Sequence, residues 1–157
     1  MADCRIRTAV AADAPALLAS MRGLARFEGY DDRFAVTEAD LLARGLAPES
    51  PREFVAFVAD GAAAGLQGHA VVLEIPFTFD LRPTLVLKEL FVAQAARGSG
   101  VGRALFDRVL AHGRERGAGR LHWRVLPGND AAKAFYARAG GGPEPGWEHW
   151  EIRSPGT

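Results

Sequence analysis

The sequence predicts an α/β chain of the α+β kind, with a mixed, mostly antiparallel central sheet flanked by about four helices. Three observations predict it. Apolar patterns of period two and period 3.6 alternate along the chain. The first half carries strands that read as an antiparallel meander. After Pro83 a strand, a helix and a strand follow in turn, an order that calls for a parallel crossover. No internal repeat, low-complexity tract or linker interrupts the 157 residues, so a single domain spanning 1–157 is expected.

The elements follow in order. "CRIRTAV" (Cys4–Val10) alternates apolar and charged residues and reads as a half-buried strand. Asp13 is placed to cap a helix that has Pro15 in its first turn and "ALLASMRGLARF" as its body. "EGYDDRF" is a polar loop. Thr37 with Asp40 three residues on resembles a capping box, opening a short helix that ends near Gly45. "FVAFVAD" (Phe54–Asp60) and "HAVVLEIPFTF" are strands joined through "GAAAGLQG", and "PTLVLKELFV" (Pro83–Val92) is the most strand-like run. "GVGRALFDRVLAHGRERG" is a helix with Val101, Leu105 and Val109 on one stripe. "GRLHWRVL" is a strand, "NDAAKAFYARAG" a helix capped by Asn129, and "GWEHWEI" a last strand.

Charge narrows the function. The 19 basic and 19 acidic residues cancel. A neutral domain has no global pull toward nucleic acid or an anionic membrane, so neither is an expected partner and any charge-driven function must be local. The single cysteine, Cys4, excludes an internal disulfide framework and reads as a buried thiol in the first strand. "MADCRIRTAV" has no long apolar core, and no stretch of about 18 apolar residues occurs, so no signal peptide or membrane span is expected. The default is a reduced, cytoplasmic enzyme or binding domain. His69, His112 and His149 have no metal-like spacing, so no metal site is expected and no role is assigned to them.

The segment "ARGSGVGRAL" (Ala96–Leu105) packs three glycines between a strand and a helix. A helix N-terminus offers unpaired N–H groups and the positive end of a dipole, which attract phosphate, and glycines clear the approach. A P-loop would end in Gly-Lys-Ser/Thr, whereas this segment ends in "GRA". A dinucleotide fingerprint would need a third glycine where Arg103 stands. The pattern that fits is R-x-x-G-x-G, read as Arg97-Gly98-Ser99-Gly100-Val101-Gly102.

That pattern resembles the acetyl-CoA loop of the GCN5-related N-acetyltransferases (GNATs). "LVLKELFVAQAARGSGVGRAL" and "NDAAKAFYARAGG" resemble that superfamily's central strand, loop and two following helices. Almost end to end, through "LARFEGYDDRFAVTEADLLARGL" and "GWEHWEI", the chain is similar to the spermidine/spermine (thialysine) branch. The resemblance implies a GNAT fold with a V-shaped splay between the two central parallel strands, acetyl-CoA as cofactor, and acetyl transfer to a primary amine by direct attack on the thioester. It also implies that the backbone of Leu90, Phe91 and Val92 pairs with the pantetheine arm, the Val92 N–H facing the acetyl oxygen. The N–H groups of Gly98 to Arg103 would hold the pyrophosphate, with Arg97 at the rim. Asn129 would line the cofactor side and Tyr136 would serve as general acid near the sulfur. Tyr136 also reads as a core aromatic paired with Phe135, and Asn129 as a helix cap. Branch members are often homodimers, and Trp147 and Trp150 would suit such a contact, or equally cap the domain's own core.

The acceptor side departs from the branch. A lysine-like amine has a pKa near 10.4, so only about one molecule in a thousand is neutral at pH 7 and a base must free it. The branch carries a glutamate where this chain has Lys88. Glu89 is next to it, but strict alternation turns it to the opposite face, as a surface carboxylate or as a base. Glu28, on the substrate side by resemblance with Phe27, and His122 are the other base candidates. His122 shares a strand face with Arg124, and Trp123 lies between them. Lys88 and Arg124 would together repel a polyamine, which favours an amino-acid-like or otherwise acidic amine. The alternatives are a polyamine or thialysine acetyltransferase, a protein N-terminal or antibiotic acetyltransferase, or an acyl-CoA sensor without turnover.

Overall fold

The computed structural model describes residues 4–61 and 65–154. The chain forms two compact units, one running through Trp123 and the other from Arg124 onward.

The first unit contains β1 (Ile6–Thr8), α1 (Ala14–Glu28), α2 (Glu38–Leu41), β2 (Val55–Asp60), β3 (Leu66–Ile75), β4 (Thr84–Val92), α3 (Val101–Glu115) and β5 (Arg120–His122). Five strands form one sheet in the order β1-β2-β3-β4-β5. Every neighbouring pair is antiparallel except β4 and β5, which are parallel, as the strand-helix-strand order requires. The second unit contains α4 (Asp130–Arg138). Among the described residues, four α-helices and a mixed, mostly antiparallel sheet are thus present, as the sequence predicts. The middle of the β2–β3 turn, residues 62–64, lies outside the described residues.

The helices pack on both faces of the sheet. On one face Leu17 and Met21 of α1 join Leu41, Leu46, Val58 and Val71 in a buried cluster. On the other face lies α3, whose Leu105, Phe106 and Val109 are almost fully buried. Its His112 ring meets Phe57 of β2 edge-on, with centroids 5.4 Å apart.

Two caps show how local rules fared. Thr37 and Asp40 form the expected capping box, each side chain taking the other's backbone N–H. Asp13 stands at the N-cap of α1 but does not cap it. Its carboxylate turns back to accept the Val10 N–H and two bonds from Arg7, both at 2.8 Å. A charged fork outbids a backbone N–H for the same oxygens. Arg7 also bonds Asp60, so the start of the chain is tied to the end of β2.

Two strand expectations need correction. β1 begins at Ile6, so Cys4 precedes it, partly buried with Sγ 3.8 Å from the Asp60 carbonyl oxygen. The expected last strand at "GWEHWEI" does not form, and residues 147–152 carry no strand. An alternating pattern is only half of a strand; the other half is a neighbouring backbone, and no ladder reaches this segment among the described residues. Trp147, Trp150 and Ile152 are 80%, 84% and 82% exposed.

β4 and β5 pair only over Thr84–Val86 against Arg120–His122. β4 then runs on to Val92, whereas β5 ends at His122.

Candidate active site

The strand β4 changes face part-way along. Leu87 stands opposite Val72 of β3, and Glu89 stands opposite Val71. Two residues of β4 separate partners that are adjacent in β3, so Lys88 is an extra residue and the strand bulges there. A bulge shifts the alternation by one. Leu85 packs toward Gly113 of α3, and Leu87 shares its face. Past the bulge, Glu89 and Phe91 look the other way, toward α1. The expectation that Glu89 points away from Lys88 is therefore corrected. The Lys88 Nζ lies 4.0 Å from Glu89 Oε1, with Lys88 half exposed and the Glu89 side chain only 11% exposed.

Glu89 is held from below. His69 of β3 is completely buried, its Nε2 is 2.8 Å from Glu89 Oε2, and its Nδ1 is 2.6 Å from the Ser20 Oγ of α1. The ring of Phe91 lies beside His69, centroids 6.0 Å apart, and against Gly23 of α1. A Cβ on Gly23 would come within 2.9 Å of that ring, so the helix and strand approach this closely because position 23 has no side chain. Tyr30, just beyond α1, completes the group. Burial pushes its phenol up to about 12, helped by the negative charges of Glu89 and Glu28. Two carboxylates and a phenol thus share one neighbourhood. Sequence reasoning assigned no role to Ser20, His69 or Tyr30. One signal was available: a histidine inside the apolar run "GHAVV" must find hydrogen-bond partners if that run is core.

The glycine segment forms as expected between β4 and α3. Gly98 and Gly100 take φ of +78° and +89°, and a Cβ at either would meet nothing within 4 Å. Gly100 is the N-cap of α3 and offers no side-chain cap. The first helical bond runs from the Ala104 N–H to the Gly100 carbonyl, so the N–H groups of Val101, Gly102 and Arg103 precede the helical ladder. An uncapped, dipole-oriented donor set with an open approach fits a pyrophosphate. The surrounding side chains hold the loop. Val101 is buried, Arg103 pairs with Asp107 at 2.9 Å, and Ser99 donates to the Ala96 carbonyl. Arg97 donates from Nε to the Val92 carbonyl at 3.1 Å and lies over the exposed ring of Phe27, 4.9 Å from its centroid.

The remaining predicted residues are placed as follows. Leu90 and Val92 stand opposite Ala70 and Gly68 in the sheet. Glu28 ends α1 on the surface. His122 ends β5, opposite Val86. The strand stops there, so the alternation expected to set Arg124 beside His122 does not reach Arg124, which lies 3.5 Å from His149. Trp123 packs edge-on against Phe106, centroids 5.8 Å apart. In the second unit, Asn129 caps α4 by accepting the Ala132 N–H at 3.1 Å, and the Tyr136 ring meets Phe135 at 5.2 Å. A cavity of about 440 Å³, lined by Arg52, Phe54, Glu74, His112 and Arg116 among others, lies toward the far end of β3 and includes none of the predicted residues.

Fold and loop agree with what comparison finds. The profile of the acetyltransferase (GNAT) family matches residues 18–141. The chain belongs to the GNAT acetyltransferase family. Among curated proteins, this GNAT chain is 37% identical over 84 residues to a streptothricin acetyltransferase of Streptomyces lavendulae, a stretch covering 54% of the chain and 42% of that protein. The chain therefore spans under half the length of that relative. Among solved structures, an integron cassette protein from the mobile metagenome of V. cholerae superposes with TM-score 0.79 at 21% identity, covering 99% of this chain and 95% of that one. An aminoglycoside acetyltransferase from an uncultured soil metagenomic sample, solved with sisomicin, gives 0.77 at 17% identity, covering 95% of each. Both structures show the fold. Two of these three are named as a streptothricin and an aminoglycoside acetyltransferase, and the finer likeness to the spermidine branch finds no support among them. No helix among the described residues is long and apolar enough to cross a membrane.

Proposed function

We propose that this GNAT protein transfers an acetyl group from acetyl-CoA to a primary amine of a cationic small molecule, of the aminoglycoside or streptothricin kind. The observation that carries the acceptor class is the Glu89 carboxylate, turned by the bulge into the neighbourhood of Glu28 and Tyr30. Two carboxylates attract an ammonium and hold it near the strand residues that follow. The argument for an acidic amine rested on Lys88 and Arg124 together: Lys88 lies 4.0 Å from Glu89, which offsets its charge, and β5 ends at His122, before the strand face that was to carry Arg124. The names of the relatives point the same way.

The parts divide the work. Acetyl-CoA supplies an activated thioester. The N–H groups of Val101, Gly102 and Arg103 would hold its pyrophosphate, and the backbone of Leu90 to Val92, beyond the pairing with β5, would hold its arm. Glu89 would take the proton from the acceptor's ammonium, leaving a neutral amine able to attack. The Val92 N–H would face the oxyanion, and Tyr136 would return a proton to the leaving sulfur. Asn129 would serve the cofactor side while capping α4.

An acetyl-CoA turnover screen over aminoglycosides, streptothricin, polyamines and amino acids tests this. A polycationic antibiotic amine is expected to give the highest kcat/KM, and a zwitterionic amine in first place would overturn the acceptor reading. Tyr136→Phe should lower kcat with little change in CoA affinity by titration calorimetry; unchanged kcat would remove Tyr136 from the reaction.

A further inference from the structure

Ser20, His69 and Glu89 come from three different elements, α1, β3 and β4, and meet in one hydrogen-bonded line. His69 is completely buried, though nothing in the fold requires a polar ring inside β3. Its in-register neighbours Val58 and Phe91 are apolar, and an aliphatic side chain would pack against them without needing partners. The line ends on the carboxylate that the bulge turns toward α1.

We propose that Ser20 and His69 are positioning residues that orient the Glu89 carboxylate toward the acceptor amine. The inference rests on the reading of Glu89 as the group that receives the ammonium's proton.

The chemistry sets the direction of each bond. With Nε2 facing a carboxylate, which only accepts, Nε2 must carry the proton. Nδ1 is then an acceptor, and the Ser20 hydroxyl donates to it. The carboxylate sets the tautomer, Ser20 satisfies the Nδ1 that remains, Nε2–H is the donor on Oε2, and Oε1 remains for Lys88 at 4.0 Å and for a ligand. A carboxylate bonded on one oxygen by a rigid buried ring cannot rotate away from its task, which is how supporting groups sharpen a reacting one. Among the described residues, Lys88 and Tyr30 also face Glu89, and Glu28 acts on the same Tyr30.

The test compares two replacements of the same ring. His69→Phe keeps ring volume and removes the donor, whereas His69→Gln keeps a side-chain N–H toward Glu89. His69→Phe is expected to lower kcat for the best amine by about 10- to 100-fold, the scale seen when a partner that orients a reacting group is lost, with KM for acetyl-CoA unchanged. His69→Gln should recover most of that loss, and Ser20→Ala should fall between. Equal losses in both His69 variants, or no loss in a folded His69→Phe, would overturn the inference. Glu89→Gln separates the two levels: if it abolishes turnover while His69→Phe leaves kcat unchanged, only the positioning role fails; if it changes nothing, the reading of Glu89 fails with it. A readout without turnover is the nitrogen NMR of the His69 ring, identified by its disappearance in His69→Gln. A proton on Nε2 is expected, and a ring protonated on Nδ1 alone would overturn the proposed bond order.

Discussion

Lys88 and Glu89 are consecutive in β4, yet both side chains serve one side of the bulge, with the Lys88 Nζ 4.0 Å from Glu89 Oε1. The lysine is half exposed, so water screens its charge and its effect on a bound cation is small, on the order of 0–1 kcal/mol. Lys88→Ala should therefore leave kcat unchanged and lower KM for a cationic amine by up to about fivefold. Glu89→Gln should lower kcat/KM by roughly 10²- to 10⁴-fold, the range for a general base. Steady-state kinetics at low and moderate salt read both, and a larger loss from Lys88 than from Glu89 would reverse their roles.

Gly100 gives a second prediction. Its φ of +89° costs a residue with a Cβ about 1–2 kcal/mol. Because a Cβ there touches nothing in the protein, Gly100→Ala should lose about that much stability in a urea melt. The added methyl also stands beside the open donors of α3, so CoA affinity by calorimetry should fall further than the stability loss alone explains. Unchanged affinity would mean that the phosphate approach does not pass over Gly100.

The glycine loop was legible because its chemistry is local: three glycines, an arginine and a helix start lie within one short segment. The capping box of Thr37 and Asp40 was legible for the same reason. The role of Glu89 was not. Alternation places it opposite Lys88 until an extra residue intervenes, and nothing in "VLKELFV" marks where β3 will let β4 slip by one. Ser20 and His69 lie 49 residues apart in sequence, and only the docking of α1 on β3 joins them. Asp13 shows a third kind of miss: the residue was correct for a cap, but Arg7 from the preceding strand took its carboxylate. The strand expected at "GWEHWEI" had the right pattern and lacked a partner backbone.

The Arg7–Asp13 pair links stability to acid. The hydrogen bonds from Arg7 hold the Asp13 carboxyl below the usual carboxylate range. A group whose folded pKa is depressed contributes stability that is present above its unfolded value, near 3.9, and lost as pH falls through the folded one. Urea melts at pH 7 and pH 5 should therefore show the same Asp13 contribution, and melts below about pH 4 a shrinking one. Asp13→Asn should cost about 2 kcal/mol at pH 7, since it weakens a nearly buried, charge-assisted contact. The gap between variant and parent should close at low pH, and a gap independent of pH would show that the pair contributes through packing instead.

Tyr30 offers the sharpest check on the acidic neighbourhood. Its phenol is pushed up to about 12, first by burial and then by the charges of Glu89 and Glu28. The chain has two tyrosines, so a Tyr136→Phe background leaves Tyr30 alone in an absorbance titration at the phenolate band. No phenolate is expected in the folded protein near pH 10, where an ordinary tyrosine is half ionised. Adding Glu28→Gln or Glu89→Gln should bring the midpoint down, because each removes one negative charge that opposes ionisation. Near neutral pH Tyr30 is thus an O–H donor and not a base. A midpoint near 10 in the folded protein, unmoved by either glutamate variant, would place Tyr30 outside the neighbourhood of Glu89 and weaken the case for a cationic acceptor with it.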